Sequence, residues 1–188
     1  MILLSFDIGI QNLGYCEIEV NDEKIGENLD KIVPKTWKVA TLREKNEKVE
    51  FDETMRRLFN FLKETWPYSS PMPSLVLIEN QPCLKNPAMK SIQIAIYSYF
   101  SLASSPLSNF TKVQLMSASN KLKVKKNTTP VNKKTSYAEK KKLAIVLART
   151  YILETGREDL RLFFEKSPKK DDLSDAYLQA VYYLELSP

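Results

Sequence analysis

Histidine is absent from this sequence. That removes Ser-His and Cys-His nucleophilic arrangements and the commonest general base. Hydrolytic chemistry, if present, must run on carboxylates, lysines, hydroxyls or a hard cation. Cysteine is scarce: Cys16 and Cys83 form neither a CxxC pair nor a zinc-ligand spacing, so both read as structural and no zinc site is expected. No apolar run approaches the length of a membrane span. The N-terminus enters a strand pattern at once, so no signal or transit peptide is expected.

What is present is enough for one core. With 188 residues and 43% hydrophobic content, a single domain over 1–188 can fold without disulfide staples. The net charge of +5 is unevenly spread. From Lys121 to Lys142 nine lysines face one acid, Glu139, a local +8 that leaves −3 for the remainder. This concentration, centred on a lysine-rich loop near 117–136, points to a nucleic-acid face; the plain alternative is a solvated basic loop.

Periodicity organises the rest. Ile2–Asp7 reads as a first strand. Cys16, Ile18 and Val20 alternate with Glu17 and Glu19, the pattern of a second strand with one wet face. Residues 21–30 are polar and turn-like. Thr36–Leu42 reads as a third strand, completing a meander. Phe51, Met55, Leu58, Leu62 and Trp66 recur at helical spacing. Leu75–Glu79 is a short continuous apolar run, the mark of a strand covered on both faces. Asn86 before Pro87 is a capped helix start, with the helix running to about Ala103. Lys112–Met116 reads as a strand and Tyr137–Gly156 as a helix. A last helix begins near Asp171, with Leu173, Ala176, Tyr177 and Ala180 on its buried stripe. Three meandering strands followed by strand–helix alternation predict an α/β fold with a mixed sheet flanked by helices. Right-handed crossovers would lay the later strands parallel to the first and bring the ends of strands one and four together.

Two acids stand out because each ends an apolar strand: Asp7 and Glu79. Buried strands carry acids chiefly when these are paired or bind a cation. Asp172 and Asp175, three apart at a helix start, project from one face, although acids there also complement the helix dipole. Four such carboxylates in a basic, histidine-free chain suit hard cations with oxygen ligands.

The motifs carry a family resemblance. "FDIGIQNLGY" (Phe6–Tyr15), "VLIENQP" (Val76–Pro82), "YAEKKKLAI" (Tyr137–Ile145) and "KKDDLSDAYLQA" (Lys169–Ala180) occur in the order found in ribonuclease H-like Holliday junction resolvases. The chain resembles the poxvirus-type and fungal mitochondrial branch, related to bacterial RuvC. The resemblance implies a five-stranded sheet of a three-stranded antiparallel meander plus two parallel strands. It implies Asp7, Glu79, Asp172 and Asp175 as catalytic metal ligands for two Mg2+ ions, with Mn2+ substituting. It also implies a homodimer that resolves four-way DNA junctions by paired symmetric cuts, leaving 5′-phosphate nicks. The setting would be intracellular: a viral DNA replication site, or an organellar matrix. Asp171 departs from the pattern; it would share ligation with Asp172 or tune the site from outside.

The DNA face is argued from charge. Lys85 and Lys90 follow Glu79; Lys121, Lys123, Lys125, Lys126, Lys133 and Lys134 lie in the basic loop; Lys140, Lys141 and Lys142 open the third helix. Such ammonium groups neutralise phosphates without reading sequence. Tyr97, Tyr99 and Phe100 offer rings for stacking on open bases, against ordinary core packing. The helix after Glu79, with Ile94 and Tyr97, is a candidate subunit contact. Three other readings stay open: a ribonuclease H or other branched-nucleic-acid nuclease of the same fold, an architectural DNA-binding protein, and an ATPase of the sugar-kinase and actin type. The last is disfavoured: "DIGIQNLG" resembles its first phosphate loop, but that fold needs a second glycine-rich loop and roughly twice the length.

Overall fold

A computed structural model describes residues 1–20, 32–103, 111–129, 131 and 135–186. β1 (Ile2–Asp7), β2 (Asn12–Glu19) and β3 (Pro34–Thr41) form an antiparallel meander, and β4 (Leu75–Glu79) and β5 (Lys112–Met116) add in parallel on the far side of β1. The sheet order is β3-β2-β1-β4-β5. The helices are α1 (Phe51–Thr65), α2 (Pro87–Leu102), α3 (Tyr137–Glu154), α4 (Glu158–Lys166) and α5 (Lys170–Leu186). The mixed five-stranded sheet flanked by helices is the architecture expected from the order of the elements.

Strand alternation divides the core into two layers. On one face Leu4, Phe6, Val76 and Ile78 pack with Leu58 and Leu62 of α1 and Ile92, Ile96 and Phe100 of α2. On the other, Leu3, Leu75 and Leu77 pack with Ala148 of α3, Phe164 of α4, and Leu173, Ala176 and Tyr177 of α5. Each fully buried leucine or isoleucine contributes roughly 1.5–3 kcal/mol. The same alternation sends Asp7 and Glu79 to the α5 face, because Leu3 and Ser5 precede Asp7 by even steps, as Leu75 and Leu77 precede Glu79.

Helix starts follow local chemistry. Asn86 accepts a hydrogen bond from the Met89 amide at 3.2 Å, with Pro87 at the first helical position. At α3, Ser136 and Glu139 form a reciprocal capping box. Two elements differ from the sequence expectation. β2 begins at Asn12, four residues before the alternating stretch. α4 was not anticipated; its Phe164 stacks on Trp37 at 5.1 Å. The lysine-rich segment is not simply a solvated loop. It contains a 3-10 turn, Asn120–Leu122, and buries Leu122 and Val124 in the core. The turn expected over 21–30, and Lys133 and Lys134, lie outside the described residues.

Candidate active site

Parallel pairing sets the first half of the site. Phe6 of β1 is in register with Ile78 of β4, so Asp7 and Glu79 end adjacent strands side by side. α5 supplies the second half. Its first turn is held against the sheet by the Trp37 indole, which donates to the Leu173 carbonyl at 2.8 Å. Further along, the Gln179 amide donates to Ser5 Oγ at 3.0 Å and to the Phe6 carbonyl at 3.2 Å. Gly14, paired with Asp7 across β1 and β2, lets the helix come close: a Cβ there would lie 2.6 Å from the Asp172 carbonyl oxygen. A side chain at 14 would force the helix start away.

The acids converge on a cation that belongs to the chain. Lys121 Nζ lies 2.5 Å from Asp175 Oδ2, 3.3 Å from Asp7 Oδ1 and 3.7 Å from Glu79 Oε1. All four side chains are largely buried, with 12–17% of their surface exposed. As they stand, no three acids among the described residues are grouped to hold a metal ion; the ammonium occupies the space between them. The donor set fits a hard divalent cation: the oxygens already surround a positive charge, and they come from three separate segments.

Crowding shows in the proton affinities. Burial, with Glu79 beside it, pushes Asp7 up to about 8 in spite of the Lys121 charge. Burial and the neighbouring Asp171 and Asp7 charges push Asp172 up to about 6. Burial, reinforced by Asp7, raises Asp175 to about 6 against the pull of Lys121. Burial would lower Lys121, but the Asp7, Asp175 and Glu79 charges hold it well above the usual ammonium range. Asp171 is separate: burial is the largest influence and raises it, but the hydrogen bond and charge of Lys141, together with backbone hydrogen bonds, leave it below the usual carboxylate range.

The sequence-predicted lysines divide into groups. Lys121 enters the acid cluster instead of facing solvent. Lys90 flanks the end of β4, its ammonium held by Asn80 and Gln93 side-chain oxygens, each at 3.2 Å. Lys141 pairs with Asp171 on the α3 side. Lys126 pairs with Glu154 and lies 5.1 Å over the Tyr151 ring. The neighbouring Lys125 amide donates to Glu185 at 2.7 Å, which ties this stretch to the far end of α5. Lys85, Lys123, Lys125 and Lys142 are exposed, and Lys140 is half-buried. Tyr99 and Phe100 are core residues, whereas Tyr97 and Ile94 are exposed on α2.

Sequence reasoning did not identify Lys121, Gly14, Ser5 or Gln179 as parts of the site. Ser5 within an apolar strand and Gln179 within an apolar helix stripe were the available signals.

Comparison with known proteins identifies the family and the fold. Residues 1–187 match the family model described as Poxvirus A22 protein. An uncharacterised protein of Acanthamoeba polyphaga mimivirus is 39% identical over 154 residues, 75% of this chain. The chain spans only 37% of that relative's length. The fowlpox virus resolvase, solved with Holliday junction DNA, has 22% identity and a TM-score of 0.66 over 98% of this chain and 97% of its own. Thermus thermophilus RuvC has 16% identity and a TM-score of 0.62 over 97% and 92%. The fold is therefore that of the RuvC-type proteins, and the chain belongs to the Poxvirus A22 protein family.

Proposed function

We propose that this protein is a structure-selective endonuclease that resolves four-way DNA junctions by paired phosphodiester hydrolysis. The observation that carries this reading is the convergence of Asp7, Glu79 and Asp175, from β1, β4 and α5, on one cation position. Family membership and likeness to a resolvase solved with junction DNA support it.

Asp7, Glu79, Asp172 and Asp175 would hold two magnesium ions, with manganese able to substitute. Ions held there would supply activation of water and stabilisation of the leaving oxygen of a phosphodiester. The protein's part is positional. β1 and β4 set two carboxylates in register, and α5 sets two more at one helix turn. Lys121 holds its ammonium among Asp7, Glu79 and Asp175, and would give up that position to ions held by the same oxygens. Its ammonium then remains beside a phosphodiester bound at the site. Cutting by water attack on the phosphorus with loss of the 3′ oxygen leaves a 5′-phosphate and a ligatable nick.

A two-fold junction suits a two-fold enzyme. We assign the homodimer contact to the exposed Ile94 and Tyr97 face of α2. Membership of a poxvirus family and likeness to a mimivirus protein support a site of viral DNA replication within the host cell, with an organellar matrix as the alternative. Among the described residues no helix is long and apolar enough to cross a membrane.

The test is a substrate panel: four-way junction, flap, RNA–DNA hybrid and linear duplex, each with magnesium. Preferred symmetric cutting of the junction supports the assignment. Preferred cutting of the RNA strand of the hybrid would replace it with a ribonuclease H. Junction binding with no cutting of any substrate would leave an architectural protein.

A further inference from the structure

Lys141 has a partner that the acid cluster does not need. Its ammonium hydrogen-bonds the carboxylate of Asp171, one residue before Asp172. It also lies 5.1 Å from the ring centroid of Tyr137, an exposed aromatic at the start of α3. The pair is partly exposed: 33% of the Lys141 side chain and 29% of the Asp171 side chain are open to solvent. Contrast this with Lys121, enclosed by three carboxylates. Contrast it also with Lys90, whose partners are neutral amide oxygens. Lys90 presents its full charge outward, while the charge of Lys141 is cancelled one-to-one.

We propose that Asp171 is not a metal ligand but a counter-charge that masks Lys141, and that a DNA backbone phosphate replaces it when substrate binds. This deepens the junction-nuclease reading and rests on it. Asp171, to which Lys141 is bound, shares the first turn of α5 with Asp172, so the Lys141 ammonium lies at the rim of the acid cluster. A phosphate received by Lys141 is therefore one near the bond to be cut. Asp171 is a positioning residue: it holds the ammonium at the rim of the site and keeps it from settling among Asp172 and Asp175.

The exchange has a thermodynamic signature. A lysine meeting a phosphate releases the counterion condensed there, and binding weakens with salt accordingly. Where the lysine must first leave a carboxylate, that carboxylate takes up a cation in its place. The two ion movements cancel, so Lys141 adds nothing to the salt slope while Asp171 is present.

A double-mutant cycle tests this, using equilibrium binding of four-way junction and linear duplex in calcium across a salt series. Asp171→Asn, with Asp171→Ser as a second helix-start residue, is expected to tighten binding about five-fold, the weight of an exposed ion pair. It should also steepen the slope of log K against log salt by about 0.9. Lys141→Met alone is expected to leave the slope unchanged, and the double variant to return to the wild-type slope. Unchanged or shallower slopes in both Asp171 variants would overturn the masking role. So would a drop in Mn2+ affinity by calorimetry without tighter DNA binding, which would make Asp171 a ligand. Phosphate contacts are shared by junction and duplex. A wild type that does not prefer the junction would sink the functional reading, while the slopes on duplex still decide the role of Asp171. Failure of the wild type to bind DNA at all would overturn both.

Discussion

The ammonium of Lys121 lies 3.3 Å from the carboxylate of Asp7, across 114 positions of sequence. It also touches Asp175 and Glu79, so one side chain compensates three buried acids. Without it the cluster is left with uncompensated charge, a loss that runs to several kcal/mol for fully committed ions. Because Asp7 can take up a proton, the loss here is expected to be about 3 kcal/mol at most. Lys121→Met should lower the melting temperature in EDTA, and magnesium should restore most of it by supplying the missing charge. Thermal melts in the two conditions check this. An equal loss in both would mean that Lys121 serves packing alone.

Raised carboxyl proton affinities would make the proposed metal binding pH-dependent. Asp7 is pushed up to about 8, and Asp172 and Asp175 to about 6. Below those values the groups are neutral and would be poor ligands, so ion binding by the proposed set would expel protons. Divalent-ion affinity is expected to climb from pH 6 to 8 and level off above. Without ions, the folded chain holds more protons than the unfolded chain from about pH 4, the usual range for a free carboxyl, up to about 8. Its stability therefore falls as pH rises through that window. Calorimetry of Mn2+ binding in buffers of different ionisation enthalpy counts the protons. Zero release at pH 6 would contradict the crowded-site description.

Gly14 places the start of α5. An added methyl would meet the Asp172 carbonyl oxygen at 2.6 Å and its carbon at 3.1 Å. These are backbone atoms, so the helix must shift and Asp172 with it. Gly14→Ala is expected to cut the cleavage rate about 10–100-fold, while circular dichroism shows the fold retained. A wild-type rate would show that the helix start is not needed at its present distance.

The lysines should separate in salt titrations. Lys90, held outward by neutral amides, is expected to contribute one phosphate contact: Lys90→Met should flatten the salt slope by about 0.9. Lys126 is engaged with Glu154, the last residue of α3, so Lys126→Met should leave the slope unchanged. The reverse pattern would move the DNA path to that end of the molecule.

The parts of this molecule that were legible in sequence are those governed by local chemistry. Asn86 followed by Pro87 announced α2, and the continuous apolar run Leu75–Glu79 announced β4, because caps and fully covered strands leave short-range signatures. Asp7 and Glu79 were visible as acids where acids are costly. Lys121 was not distinguishable from its neighbours. Nine lysines look alike in sequence, and the burial of Leu122 and Val124 that turns this one inward is a tertiary effect. α4 escaped because nine residues give a weak period, though Phe163 and Phe164 find partners in Trp37. Gly14 carries its meaning only when α5 lies across it.

The most direct test is magnesium-dependent cleavage of a synthetic four-way junction by the wild type and by Asp7→Asn. The wild type should cut symmetrically across opposing strands. The variant should bind the junction with similar affinity yet cut at least about 1,000-fold more slowly, as expected if the proposed metal ligand at the reacting centre is removed. Cleavage by Asp7→Asn at the wild-type rate, or loss of binding in step with loss of cutting, would contradict a catalytic acid cluster.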